Sequence, residues 1–258
     1  MAVAPASEIQ VQKDVVYGQG SGHDLLCDVY RPRAATSKRT AVVHLHGGGF
    51  TRGNKAGVRL AGPLAERGYT CVSAGYRLVP EATWPVQMED VRAALGWTRA
   101  NAADLGVEPQ RLVVAGYSAG ARLALIAAGS DEMEVSACIA FYGPAGASAN
   151  HPVLGPNPSD ELRRSFMPLN YVRAGYPPTM LLHGIADQTI PVDASVQLFA
   201  ALREVGAAVE LHAIEGVTHI FDAHPDLAEA SATWIDLFLD RHVVNPRSYP
   251  STEPAPVR

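Results

Sequence analysis

Gly116-Tyr117-Ser118-Ala119-Gly120 sets one serine between two glycines, directly after the apolar run 111–115 and before the small-residue run 119–128. The first run predicts a strand and the second a helix, so the pentapeptide is a strand–turn–helix junction. Such a junction lifts a serine Oγ above a sheet edge and sets it at a helix N-terminus, where amide dipoles favour negative charge. The chemistry that suits it is nucleophilic attack on a carbonyl through a covalent acyl intermediate. A glycine–serine turn without chemistry is the rival reading of the pentapeptide alone. The flanking strand and helix are what count against it.

Attack on a carbonyl puts a full negative charge on its oxygen, and each preorganised N–H donor there is worth about 10²–10³ in rate. His46-Gly47-Gly48-Gly49-Phe50 follows the β-branched run 40–46, and successive glycines let a backbone approach that oxygen without Cβ obstruction. A base and an acid must then follow the serine, the acid first. Of nine histidines, His219 lies in a loop between the last predicted strand and helix. His224 is a decoy beside Pro225, His183 ends a strand and precedes the acid, and His44 and His46 are better suited to holding loops. For the acid, Asp187 lies in the loop after the penultimate strand, where it would fix the tautomer of His219. Asp193 and Asp222 compete: the first suits a helix start, and the second comes after the base.

These groups need a scaffold. Residues 11–16 and 25–31 predict an antiparallel hairpin across Gly18–Gly22. Strands are predicted at 40–46, 70–76, 111–115, 137–142, 179–183 and 208–214, and helices at 85–100, 119–128, 192–205 and 227–240. That alternation implies βαβ units, hence a mostly parallel sheet of about eight strands with helices on both faces. Ligands gather at the C-terminal strand ends of such sheets. Residues 143–178 are rich in Pro, Gly and Asn, with short helical potential near 159–165; a connection this long reads as a lid or a pocket wall. The expected organisation is a single domain over 1–244, with 143–178 as a lid-like insertion and 245–258 as a Pro-rich tail.

The 258 residues are 47% apolar and carry a net charge of −5, which supports a large core and gives no basic stripe for nucleic acid. No apolar stretch approaches membrane-span length. Cys27, Cys71 and Cys138 are an odd count without ligand spacing, which points to reduced, buried thiols and a cytoplasmic location rather than a disulfide framework or metal site.

Five motifs together resemble the hormone-sensitive-lipase-like carboxylesterases of the α/β-hydrolase fold, including their small feruloyl- and acetyl-esterase relatives. They are HGGGF at 46–50, YRLVPE at 76–81 with Pro85 and Asp90, GYSAG at 116–120, HGIADQTIP at 183–191 and GVTHIF at 216–221. The resemblance implies triad roles for Ser118, Asp187 and His219, and oxyanion amides at Gly48, Gly49 and Ala119. It implies a small-molecule ester substrate and no metal or cofactor, and it makes YRLVPE with Asp90 a structural signature. Only about forty residues precede HGGGF, so the N-terminal helical cap of larger members is expected to be absent or vestigial. Phe50, Trp84, Tyr117 and Tyr142 flank loops at the active edge and are candidate pocket residues. The last strand and helix are a candidate homodimer surface. Arylformamide hydrolysis and deacylation of carbohydrates use the same parts, as would a pathway that recruited the site for acyl transfer. A binding protein on this fold is the reading from another class; its mark would be a missing triad member.

Overall fold

The computed structural model describes residues 8–146 and 151–249. Eight strands form one sheet: β1 (Gln10–Gly20), β2 (His23–Arg31), β3 (Ala41–Leu45), β4 (Thr70–Ala74), β5 (Leu112–Tyr117), β6 (Ala137–Phe141), β7 (Thr179–Gly184) and β8 (Val209–Ile214). Their order is β1-β2-β4-β3-β5-β6-β7-β8; β2 pairs antiparallel with both β1 and β4, and the rest is parallel.

β3 to β7 are buried along their whole lengths, as expected of parallel strands covered on both faces. Among the described residues seven α-helices accompany them: α1 (Ala61–Glu66), α2 (Val86–Ala100), α3 (Ala102–Leu105), α4 (Ala119–Gly129), α5 (Asp160–Ser165), α6 (Asp193–Glu204) and α7 (Pro225–Leu239). Val43, Val72, Val114 and Leu181 pack with α2, α4 and α6 on one face. Val42, Cys71, Val113 and Met180 pack with α1 and α7 on the other. The three cysteines are free and buried in the sheet.

The expected elements lie within a few residues of the observed ones, with two differences. The hairpin reverses at Ser21–Gly22 alone, both at positive φ (50° and 82°). Such a two-residue turn matches strand twist and leaves Gly18–Gly20 in the ladder. The helices α1 and α3 are too short to carry a periodic signal.

The signature around Arg77 pins α2 to the sheet. Asp90 is buried and accepts from the Arg77 amide (2.8 Å), Nε (3.0 Å) and Nη2 (2.5 Å). The described part of the 143–178 connection is a packed layer. Phe166 is fully buried beneath the Arg122 guanidinium, which lies 3.8 Å from the ring centroid and donates to the Phe166 carbonyl. Tyr171 donates to the Ser165 carbonyl at 2.9 Å, and Tyr176 to Leu125 at 2.6 Å. Of the tail expected at 245–258, residues 250–258 lie outside the described residues. Asn245 and Arg247 hold Asp240 at 2.7 and 2.8 Å.

If Phe166 anchors this layer, Phe166→Ala should lower unfolding free energy by about 3–5 kcal/mol. Urea titration measures it, and a loss below about 1 kcal/mol would mean that the layer does not depend on that ring.

Candidate active site

Ser118 joins β5 to α4 with φ 54° and ψ −111°, a conformation that costs of order 1–3 kcal/mol unless its surroundings impose it. They do. A Cβ on Gly120 would lie 2.0 Å from the Leu45 carbonyl oxygen, and one on Gly116 would lie 2.1 Å from that of Gly120. Only glycine lets α4 start against the end of β3. The Ser118 amide is fixed to the Phe141 carbonyl at 3.0 Å.

His219 Nε2 is 3.0 Å from Ser118 Oγ, and its Nδ1 is 2.6 Å from Asp187 Oδ2. A carboxylate only accepts, so Nδ1 carries the proton and the Nε2 lone pair faces the serine hydroxyl. Asp187 Oδ1 accepts from the amides of Thr189 (2.8 Å) and Ile190 (3.0 Å). Burial by itself pushes this carboxyl up. Hydrogen bonds from His219 and the two amides outweigh it and hold the pKa below the usual carboxylate range.

His183 backs the acid loop. It is fully buried, its Nε2 donates to the Ile190 carbonyl at 2.8 Å, and its Nδ1 accepts from Ser195 at 2.7 Å. Nε2 also lies 3.2 Å from Asp187 Oδ2. Burial pushes the imidazole pKa down, so this contact is dipolar rather than an ion pair. The sequence reading made His183 structural without linking it to Asp187. The clue was their four-residue separation across a turn.

The competitors are otherwise engaged. Asp222 is buried and accepts from Tyr142 Oη at 2.5 Å, with Arg59 Nη1 at 3.4 Å. Asp193 heads α6, and His224 is exposed at the start of α7. His44 lies 3.2 Å from Tyr117 Oη, and burial pushes its pKa down to about 3. His46 stacks on Tyr76 with centroids 4.2 Å apart.

A cleft of about 600 Å³ opens beside Ser118, with Gly47–Gly49 along it and His219 at its edge. Tyr117 and Tyr142 line it, and the Tyr142 ring lies 4.5 Å from that of His219. Phe50 and Trp84 are not in its described lining, and this corrects the sequence expectation. Both rings pack on Phe166, with centroids 5.6 and 5.0 Å away, and Trp84 Nε1 donates to Ser165 at 2.9 Å. Large rings bury more apolar area there than beside an open cleft. Arg52, Asn54, Arg59 and Ile220, by contrast, do line it, and nothing in their types announced them. Gly48 and Gly49 reach the cleft; Ala119 heads α4, so its N–H has no intrahelical partner.

A serine elbow after β5, an acid after β7 and a histidine after β8 on this sheet define an α/β-hydrolase. The chain belongs to the BD-FAE family, whose model matches residues 27–202. It is 32% identical to the esterase LipQ of Mycobacterium tuberculosis over 81% of this chain and 57% of LipQ. With the ethyl acetate hydrolase of Pseudomonas putida the identity is 30%, over 84% of this chain and 77% of that protein. The apo form of Thermogutta terrifontis esterase 2 superposes with a TM-score of 0.77 at 26% identity, covering 96% and 100% of the two chains. The chain spans little more than half the length of LipQ and of LipM from the same bacterium.

If His183 fixes the acid loop, His183→Ala should lower kcat about ten- to a hundredfold, the worth of one hydrogen bond in a charged network. KM should move less, and His183→Gln, which keeps a donor, should recover part of the loss. Steady-state kinetics on folded variants decide this. An unchanged kcat in His183→Ala would mean that the loop holds Asp187 unaided.

Proposed function

We propose that this chain is a serine carboxylesterase that hydrolyses small or short-acyl esters through an acyl-Ser118 intermediate. The observation that carries this reading is the unbroken hydrogen-bonded line from Ser118 through His219 to Asp187, at 3.0 and 2.6 Å, beside a glycine loop. His219 Nε2 takes the Ser118 proton as Oγ bonds to the ester carbonyl carbon. The amides of Gly48, Gly49 and Ala119 bind the resulting oxyanion. When the intermediate collapses, the C–O bond to the alcohol breaks and the imidazolium returns its proton to that oxygen. Water, deprotonated by the same imidazole, then releases the acid. The cycle calls on no metal or cofactor.

Short acyl groups are supported by structures of Thermogutta terrifontis esterase 2 with propionate or butyrate bound, and by the ethyl acetate hydrolase relative. The complete triad weighs against a binding protein that has lost its chemistry. Arylformamides and acylated carbohydrates remain substrates to be ranked by assay, with no separate observation favouring them. Three buried free thiols support a cytoplasmic location. Among the described residues no helix is long and apolar enough to cross a membrane. The exposed Leu237 of α7, beside the edge strand β8, supports a homodimer that light scattering would detect.

Ser118→Ala should lower kcat for p-nitrophenyl acetate by at least about 10⁴ and abolish labelling by a fluorophosphonate probe. Near-normal turnover by that variant would sink the assignment. A histidine base must be neutral to accept a proton, so kcat/KM should fall on acidification. A flat profile between about pH 5 and 8 would count against His219 as the base.

A further inference from the structure

The wall of the cleft beyond the catalytic groups carries hydrogen-bond donors on Arg52, Asn54 and Arg59. The 46–59 loop supplies both the oxyanion glycines and two arginines. Its turn is closed by the amides of Thr51 and Arg52, both donating to the Gly48 carbonyl at 3.2 Å. Arg52 is thereby tied to the oxyanion glycine itself, and Arg59 faces the same cleft.

The charge around these two side chains is not balanced. Arg52 is exposed and makes no ion pair among the described residues. Among the described residues Arg59, with 47% of its side chain accessible, has one ion-pair contact, at 3.4 Å to Asp222, whose other oxygen is taken by Tyr142. Asp222 is the one acid in the described lining. The neighbouring Lys55 does not add to the wall, because it is held at 2.5 Å by Asp28 and at 2.8 Å by Asp14. Asn54 uses its Oδ1 to cap Ala56 at 2.9 Å, which leaves its amide NH₂ as a further donor. Two guanidiniums and an amide thus share the lining with one carboxylate, already engaged by Tyr142 and Arg59, in a chain whose net charge is −5.

We propose that this wall is a subsite for a carboxylate on the substrate, so that the favoured esters are half-esters of dicarboxylic acids or acylated hydroxy acids. The inference rests on the esterase reading above and narrows its substrate class. A substrate carboxylate accepts from planar guanidinium forks with charge assistance. A neutral ester of the same shape would leave those donors to water.

The two ends of the ester are separated by isosteric pairs. Monoethyl succinate against ethyl 4-oxopentanoate puts the carboxylate on the acyl side. Acetylated 3-hydroxypropionate against 4-acetoxybutan-2-one puts it on the alcohol side. In the wild-type protein at low ionic strength, the anionic member of at least one pair should have a kcat/KM about tenfold or more above its neutral partner. Arg52→Gln and Arg59→Gln should each reduce that ratio about fivefold or more, mainly through KM, and added salt should reduce it too. The proposal is overturned if both neutral esters match or exceed their anionic partners. It is equally overturned if the arginine variants change both members of a pair by the same factor. Turnover of p-nitrophenyl acetate, run alongside, separates the two readings: its presence with no anion preference removes only the subsite, and its absence removes the esterase as well.

Discussion

The site depends first on how closely α4 approaches the end of β3. The missing Cβ of Gly120 would stand 2.0 Å from the Leu45 carbonyl oxygen, well inside van der Waals contact. That approach carries the first turn of the helix onto the strand that leads into His46–Phe50. Ser118 and the glycine loop become neighbours as a result, although they are some seventy residues apart in the chain. The strained φ of Ser118 follows, since the chain must leave β5 and enter α4 within one residue.

The acid and base obey a similar constraint at the other end of the sheet. β7 and β8 run parallel, with Gly184 opposite Ile214, so their following loops leave the same edge side by side. A Cβ on Gly184 would lie 2.3 Å from the Val217 carbonyl, and the amide of Ala186 donates to that carbonyl at 3.0 Å. The loop bearing Asp187 is therefore sewn to the loop bearing His219 before either side chain is considered. Four polar groups then converge on the Asp187 carboxylate: His219, the two amides, and His183 behind them. An acceptor so well supplied keeps its charge despite burial, and a charged acid holds the imidazole in the tautomer that faces Ser118.

How much of this the sequence discloses depends on whether a residue's neighbours are local or distant. Ser118, Asp187 and His219 could be picked out because each sits where a strand-like run stops, and strand order fixes the order of the loops. Gly116 and Gly120 were legible as a tight turn, but the role of Gly120 against Leu45 is a contact across the sheet and has no local mark. Phe50 and Trp84 looked like pocket residues because they flank active-edge loops. Their partner, Phe166, lies in a segment whose composition suggested a lid or a pocket wall, and its ring draws them into the interior. Arg52 and Arg59 carry no local mark in the sequence. Only the fold of their loop back onto Gly48 brings them to the cleft.

The same packing explains where the cleft opens. On the side of 151–178, Phe50, Trp84 and Phe166 form one aromatic cluster capped by the buried Arg122 guanidinium. That cation has no carboxylate partner among the described residues, and burial lowers its pKa to about 9. It is stabilised by the ring face and by the Phe166 carbonyl. Taking the partners from a buried cation is costly, so moving this layer off Arg122 would forfeit both the ring and the carbonyl contact. The described lining of the cleft takes Arg52, Asn54 and Arg59 from the mostly exposed stretch 51–59, together with Tyr117, Tyr142 and Ile220. The aromatic rings that reach the cleft are Tyr117 and Tyr142, while Phe50 and Trp84 pack on Phe166. A bound molecule therefore meets apolar surface from Tyr117, Tyr142 and Ile220 as well as the polar groups of Arg52, Asn54 and Arg59.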